Sequence, residues 1–241
     1  GTAERAASQR AAQDAMADKM GGQGPVVKLF SFVVTTVLDP LLSFFRKNGM
    51  QIGIMILAFI FLFKIGEAFM GKMSIVFYKE VGFSKSDIAL YSKGLGWITT
   101  VTFTLIGGFF ALRTGVVRAL LISGIAMAGT NILFSVLAWV GPNELLFAFA
   151  VIVDDLAAAF ATVAFVTFIS LLVDRNYTAT QYALLASIGT LGRTLLASSS
   201  GALVDGLGGD WGLFFILTAI MVIPSLLLLW KLRHRLQNLA K

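Results

Sequence analysis

Seven charged side chains interrupt stretches of this chain that are otherwise apolar and long enough to cross a membrane. They are Lys64, Glu67, Lys72, Lys93, Asp154, Asp155 and Arg193. An unpaired charge at the centre of a bilayer costs roughly 3 kcal/mol, so seven facing lipid would cost on the order of 20 kcal/mol. We therefore expect these side chains to face a polar interior, to pair with one another or to meet a charged ligand. This pattern predicts a solute pathway.

The first charged group lies on one face of a helix, because three positions separate Lys64 from Glu67. These two side chains could form an internal ion pair, or they could take part in binding a substrate or a proton. Lys72 adds a positive charge without a nearby partner in the sequence. Gly66 and Gly71 predict close helix packing or a kink in the same segment.

A second group combines a cation, an aromatic ring and hydroxyls, because Lys93, Trp97, Thr100 and Thr104 follow one helical stripe. Aromatic rings pack on the apolar faces of sugars, and cations bind carboxylates, so this stripe suits a sugar or a peptide. The alternative is that Lys93 extends to the membrane surface and that Trp97 lies in the interfacial belt.

A third group consists of two adjacent carboxylates and one guanidinium. Asp154 and Asp155 point about 100° apart on a helix, so we expect one to face a cavity and the other to bond a neighbouring helix. A carboxyl at membrane depth can carry a proton, which suits proton coupling. Arg193 suits a carboxylate, either on a ligand or on one of these two residues, and a structural ion pair is the alternative.

Composition excludes several other functions. The chain is 57% hydrophobic and 13% charged, with no Cys and one His, so no metal-binding spacing is present. A Gly-x-Ser-x-Gly elbow and a phosphate-binding loop are also missing from the sequence, and we predict no enzyme and no cofactor, with a proton as the coupling ion. The net charge of +6 is assigned to loops and tails that set membrane orientation, and we expect no nucleic-acid partner.

Hydropathy divides the chain into four parts. Residues 1–25 are predicted to be a flexible polar linker, 26–49 amphipathic helices on the cytoplasmic surface, and 231–241 a basic cytoplasmic tail. Residues 51–230 are predicted to be a bundle of six transmembrane helices, placed at 51–78, 86–112, 118–139, 144–173, 180–204 and 211–230. Trp211 and Trp230 bracket the last of these and are expected to be interface anchors.

The distribution of Lys and Arg predicts the orientation. If both ends lie on one side, that side holds nearly all the cations outside the spans, and the opposite side holds Lys79 and Lys85. The positive-inside rule then places both ends in the cytoplasm. The chain starts at Gly1 without an initiator Met, and we interpret it as a piece of a longer polypeptide.

Six helices with both ends cytoplasmic resemble the second half of a major facilitator transporter. The segment 107–118 resembles the cytoplasmic loop motif between the second and third helices of each half in that superfamily. It differs from the motif where Leu112 replaces the usual Asp and where two Val residues replace basic ones. The resemblance implies a gating role for Gly108, Arg113, Gly115 and Arg118.

More specifically, the chain resembles the AmpG-type muropeptide permeases, which are related to acetyl-CoA transporters. The residues that carry this resemblance are the runs Phe-Lys-Ile-Gly-Glu-Ala at 63–68, Gly-Phe-Ser-Lys at 82–85, Lys-Gly-Leu-Gly at 93–96, Ala-Thr-Gln-Tyr-Ala-Leu-Leu at 179–185 and Gly-Arg-Thr at 192–194. The resemblance implies proton-driven import of GlcNAc-anhydro-MurNAc peptides across the inner membrane of Gram-negative bacteria. That cargo serves peptidoglycan recycling and, in some species, β-lactamase induction and thus antibiotic resistance.

The charge pattern and the resemblance together predict roles for individual residues. Substrate binding is expected at Lys64, Lys72, Lys93, Trp97, Gln181 and Arg193, and proton coupling at Glu67, Asp154 and Asp155. The partners expected are membrane lipid, the muropeptide and the N-terminal half of the transporter, which could be a separate chain, a missing part or a second copy. The alternatives are a transporter of another anionic cargo such as acetyl-CoA, and a non-transporting membrane subunit or sensor whose charges are internal struts.

Overall fold

The computed structural model describes residues 38–174 and 177–239, together with Ala11, Asp14, Ala15 and Thr35. Within these residues the regular structure is helical, without strands. The α-helices are α1 (Asp39–Asn48), α2 (Met50–Leu62), α3 (Ile65–Val81), α4 (Lys85–Asp87), α5 (Gly96–Thr114), α6 (Val116–Val140), α7 (Glu144–Leu172), α8 (Thr178–Ser198), α9 (Ser200–Gly206) and α10 (Trp211–Leu239). A π-helical segment, Ile88–Leu95, joins α4 to α5.

Five helical stretches among the described residues are long and apolar enough to cross a membrane. They are Met50–Val81, Lys85–Thr114, Val116–Val140, Glu144–Leu172 and Trp211–Leu236. The predicted all-α membrane fold is thus confirmed, and these stretches match five of the six predicted spans. The sixth, 180–204, corresponds to α8 and α9, and its crossing of the membrane stays a prediction.

Two of the spans are irregular where their charged residues lie. The first span breaks between α2 and α3 at Phe63 and Lys64, and Lys64 has φ −97° and ψ 19°. The second span contains the π-helical segment, which carries Lys93. Such interruptions are common at functional sites, because they redirect side chains and leave backbone groups without their usual partners. The predicted kink near Gly66 thus falls two residues earlier.

By their contacts, the residues form two units. The smaller unit contains α1 and the segment Val173–Leu185, and the larger contains Ile54–Leu172 and the chain from Ala186 onward. In the smaller unit, α1 has Pro40 in its first turn and Gly49 as the residue that follows its last turn. The predicted linker 1–25 lies outside the described residues apart from three positions, and most of 26–37 does too.

The core of the larger unit is aromatic. Phe77 of α3 packs edge-to-face against Phe215 of α10, with ring centroids 4.7 Å apart. Tyr78 lies 4.6 Å from Phe147 of α7, between ring centroids. Phe134 of α6 contacts both Phe77 and Phe215. These rings hold α3, α6, α7 and α10 together, and α3 thereby acquires a fixed position from which it presents its charged residues.

The two tryptophans of the last span have different environments. Trp211 is only 7% exposed, and its indole Nε1 donates a hydrogen bond of 2.7 Å to Glu80 Oε2 at the end of α3. Trp230 is 56% exposed, with the Arg233 guanidinium 4.5 Å from its ring centroid. Trp211 is therefore a packing residue instead of the expected interface anchor. The predicted basic tail continues α10 as helix to Leu239.

The Trp211–Glu80 hydrogen bond gives a first prediction. Because the acceptor is charged and the indole is buried, we expect Glu80→Ala and Trp211→Phe each to lower the free energy of unfolding by about 1.5–3 kcal/mol. The double variant should lose less than the sum of the two, since both changes remove one bond. Denaturant unfolding in detergent measures this, with Trp230→Phe as control; strict additivity would contradict it.

Candidate functional site

Lys64 and Glu67 form an ion pair at the break in the first span. Lys64 Nζ lies 2.8 Å from Glu67 Oε2, and the two side chains are 14% and 21% exposed. Lys64 Nζ also donates a hydrogen bond of 2.7 Å to Thr162 Oγ1 on α7. The internal pair that was one of two expectations from the sequence is thus present. Glu67 and Thr162 both bind the ammonium of Lys64, so this ammonium is less available to a ligand than the sequence implied.

Arg193 is the second cation beside Glu67, and the sequence had not indicated this pairing. The Nη2 atom of Arg193 lies 3.9 Å from Glu67 Oε1, and the Arg193 side chain is 51% exposed. At this distance the two charges attract each other but form no direct hydrogen bond. The carboxylate nearest to Arg193 is therefore on α3, whereas the sequence analysis had named Asp154 and Asp155 of α7 as its protein partners.

The two aspartates are each held by a hydroxyl from a different helix. Thr130 of α6 donates a hydrogen bond of 2.8 Å to Asp154 Oδ1. Thr99 of α5 donates to Asp155 Oδ2. The predicted divergence of the two carboxylates is confirmed in this sense. The expectation that only one faces a cavity is wrong, since both line the same one.

Two adjoining cavities lie in the larger unit. One of about 220 Å³ is lined by Glu67, Asp154 and Asp155 together with Arg193 and the polar residues Ser74, Tyr78 and Ser92. The other, of about 310 Å³, is lined by Ala68, Gly71, Lys72, Arg193, Thr194, Ala197 and Ser198. Gly71 and Arg193 line both cavities. The first cavity is therefore rich in carboxylates, and the lining of the second carries cations and hydroxyls without a carboxylate.

Several polar residues of the site were missed from the sequence. Thr99, Thr130 and Thr162 bond its charged groups, and Asn131 lies close by on α6, 2% exposed. The Nδ2 of Asn131 has no hydrogen-bond partner among the residues that the structure describes, and a Cβ on Gly66 would lie 2.9 Å from it. The signal that could have identified Asn131 is an amide inside the apolar stretch Val116–Val140.

The predicted stripe on the second span is an exposed face. Lys93, Trp97, Thr100 and Thr104 are all exposed, and the Trp97 side chain is 72% accessible. Neither of the two cavities is lined by Lys93 or Trp97. Their roles in substrate binding stay predictions, and they would require a ligand or partner outside the two cavities.

Gln181 belongs to the smaller unit, where the chain itself engages its side chain. The residue is 2% exposed, and its Nε2 donates a hydrogen bond of 2.8 Å to the carbonyl oxygen of Pro40. Its Oε1 accepts from the backbone N–H of Asp174. In this arrangement the amide fixes the start of α8 to α1, so substrate binding by Gln181 would require these bonds to open.

The segment that resembles a gating loop joins α5 to α6. Gly115 connects the two helices at φ +80°, a conformation in which a side chain would be strained. The guanidinium of Arg113 lies 4.6 Å from the ring centroid of Phe109. Gly108 has open space where a Cβ would lie, and Arg118 is exposed at the start of α6. The gating role of these residues stays a prediction.

Comparison with known proteins supports the resemblance seen in the sequence. The chain is 33% identical over 202 residues to a putative transporter AmpG 4 of Rickettsia conorii. The aligned region covers 84% of the chain and 48% of that protein. It is 31% identical over 202 residues to the anhydromuropeptide permease of Escherichia coli K12, covering 83% of the chain and 40% of the permease. The resemblance to AmpG-type permeases is confirmed.

The relatives are longer than the chain. A putative transporter AmpG 1 of Rickettsia bellii, 29% identical over 205 residues, is matched over 50% of its length. The chain thus spans about half the length, or less, of the curated relatives it matches. No protein-family model matches it. The AmpG-like region includes the helices that carry both cavities, because the match covers 84% of the chain.

Proposed function

We propose that this chain forms the C-terminal half of a proton-coupled transporter that imports GlcNAc-anhydro-MurNAc peptides across the bacterial inner membrane. The observation that carries the proposal is the 310 Å³ cavity, in which Lys72 of α3 and Arg193 of α8 face open space between two helices. Cations at membrane depth are costly, and they are retained where they meet a charged solute. The name of the Escherichia coli relative, anhydromuropeptide permease, supplies the class of cargo.

The chemistry of the cargo fits the charged surfaces. A muropeptide is a disaccharide that bears peptide carboxylates, so it requires cations for the peptide and flat apolar surfaces for the sugars. Lys64, Lys72, Lys93 and Arg193 would attract the carboxylates, and Trp97 would pack against a sugar ring. These assignments distribute binding over a cavity and an exposed face, which a large solute can span.

Proton coupling would use the carboxylate-rich cavity. Glu67, Asp154 and Asp155 line one space of about 220 Å³, and Arg193 borders both this space and the cationic cavity. A proton carrier next to a substrate cation allows the two binding events to influence each other. Import by alternating access would then expose the shared space to one side of the membrane at a time.

The remaining half of the transporter would cover the second span. In its most apolar window only 17% of this span is buried, compared with 39–50% in the other four. Large side chains such as Leu105 and Leu112 are 76% and 82% exposed. A second bundle against this face would enclose the pathway, with lipid around the whole and both chain ends in the cytoplasm.

Uptake measurements test this function. In membrane vesicles that contain the full-length transporter, uptake of labelled anhydro-muropeptide should fall at least about tenfold in Glu67→Gln and several-fold in Lys93→Ala, at equal protein levels. Unlabelled muropeptide should compete, and free coenzyme A should not. Unaltered uptake in both variants would remove the assignment, and competition by coenzyme A would transfer it to another anionic cargo.

A further inference from the structure

The side chain of Arg193 is held weakly for a guanidinium inside a membrane bundle. Its one ion pair among the described residues is with Glu67, at 3.9 Å, and it donates no hydrogen bond to any of them. Glu67 already has a closer partner, because Lys64 lies 2.8 Å from its other oxygen. Arg193 is 51% exposed, so most of its five N–H donors are free to bind another group.

Lys72 provides a second cation in the same cavity. In the part of the chain that the structure describes, no carboxylate lies within ion-pair distance of Lys72. Both cations line the 310 Å³ cavity, and its remaining lining consists of small residues and the hydroxyl residues Thr194 and Ser198. This volume is at the lower end of the range for small-molecule sites and accommodates one end of a larger ligand.

From this geometry we infer that the Lys72–Arg193 cavity binds a carboxylate of the transported ligand, and that Arg193 exchanges Glu67 for that carboxylate when it binds. The inference rests on the proposed function for the identity of the ligand. An arginine fork binds a carboxylate through two parallel hydrogen bonds, which are stronger than the single distant contact that it would leave. Arg193 also borders the cavity of Glu67, so the inferred exchange takes place between two cavities that its side chain already lines.

The exchange predicts a competition that a purely structural role would not produce. Glu67 and the ligand carboxylate attract the same guanidinium, so Glu67 opposes ligand binding although it is close to the site. Removing its charge should therefore tighten binding, by about two- to five-fold for a half-exposed pair at this distance. Lys64, Asp154 and Asp155 are the other charged groups near Glu67, and Lys64 keeps its hydrogen bond to Thr162 in that variant.

Equilibrium binding in nanodiscs tests the inference on the full-length transporter. The probes are GlcNAc-anhydro-MurNAc-tripeptide and the same compound with its peptide carboxylates amidated. We expect the amidated probe to bind at least tenfold more weakly to the wild type. Arg193→Gln and Lys72→Gln should each weaken binding of the acidic probe at least tenfold and leave binding of the amidated probe unchanged. Arg193→Lys should have an intermediate affinity for the acidic probe. Glu67→Gln should bind the acidic probe two- to five-fold more tightly.

Controls separate this inference from the proposed function. Lys231→Gln removes one exposed positive charge outside the cavity and should bind both probes as the wild type does. The inference would be overturned if Arg193→Gln did not change muropeptide binding or if Glu67→Gln weakened it. Either result would leave the muropeptide as the proposed cargo. If the muropeptide does not bind, the protein can be tested with glutarate. Stabilisation of the protein by glutarate in the wild type but not in Arg193→Gln would support a carboxylate site without supporting the proposed cargo. Stabilisation of the protein that occurs only in nanodiscs containing phosphatidylglycerol would show that an anionic lipid binds the cations. That result would overturn the assignment to a ligand carboxylate.

Discussion

Gly192→Ala should remove most of the folded protein from the membrane. A Cβ at this position would collide with the carbonyl oxygen of Phe61 and lie 2.9 Å from its carbonyl carbon. The neighbour is backbone, so no side-chain rotation can relieve the overlap, and α8 must move away from the first span. We expect a loss of about 3 kcal/mol in the free energy of unfolding, the upper end of the usual cost of overpacking, because the backbone must shift.

A second glycine provides the control for this prediction. Gly201 also lies in a helix, and among the described residues no atom outside its own turns of that helix lies within 4 Å of the position that its Cβ would occupy. Gly201→Ala should be neutral or should stabilise the protein by up to about 1 kcal/mol, because Ala favours the helix. Fluorescence-detected size exclusion of both variants, with thermal midpoints, measures the difference. Equal yields and midpoints would show that the contact between Gly192 and Phe61 is not as close as described.

The close contact has a functional consequence. Gly192 places Arg193 next to the break in the first span, where Lys64 and Glu67 lie. Displacement of α8 would therefore separate Arg193 from Glu67 and reshape both cavities that the guanidinium lines. Any Gly192→Ala protein that does reach the membrane should have lost the proposed muropeptide binding as well as stability.

Glu67→Gln should lower both the stability of the protein and the proposed proton-driven uptake, by two separable effects. The change leaves Lys64 without its carboxylate at 14% exposure, which we expect to cost roughly 2 kcal/mol of stability. It also removes a group proposed to carry the proton, which should lower uptake at least about tenfold. Thermal midpoint and uptake are measured on the same reconstituted protein.

The double variant Lys64→Met with Glu67→Gln separates these effects. Removing both charges eliminates the unpaired ammonium, so the thermal midpoint should return close to that of the wild type. Uptake should remain lost if Glu67 acts in transport. Recovery of both stability and uptake would show that the pair is an internal strut without a role in transport.

The double variant is a cleaner test than exchange of the two charges. Glu67→Lys would bring an ammonium next to the Arg193 guanidinium, which lies 3.9 Å from the present carboxylate. Like charges at that distance repel, so an exchange of Lys64 and Glu67 would fail even if the pair had a purely structural role. This complication comes from α8 and is invisible in the sequence of the first span.

The sequence predicted the spans well because length and hydropathy determine them. The predicted helix at 118–139 is α6, Val116–Val140, and the one at 144–173 is α7, Glu144–Leu172. Charged residues inside the apolar stretches also predicted where the site lies, because an ionisable group at membrane depth requires a polar environment. The ion pair of Lys64 with Glu67 was visible from local spacing alone.

Contacts between distant helices could not be predicted in the same way. Three contacts join residues that are far apart in the chain. They are the ion pair of Arg193 with Glu67, the hydrogen bond of Lys64 to Thr162 and the close backbone contact of Gly192 with Phe61. Helical periodicity indicates which residues share a face but not which face of another helix they meet. Trp211 shows the same limit, because its position suggested a membrane anchor whereas tertiary packing buries it.

The central claim is that the charged residues lining the two cavities surround a space open to water at membrane depth. The chain has no Cys, so single cysteines report accessibility once the rest of the transporter is also free of cysteine. Ser198→Cys lines the cationic cavity, and Leu227→Cys, 61% exposed on the apolar last span, is the matched control. We predict that a charged, membrane-impermeant thiol reagent modifies Ser198→Cys at least tenfold faster than Leu227→Cys, and that muropeptide slows only the former. Equal, slow modification of both would contradict a water-filled cavity.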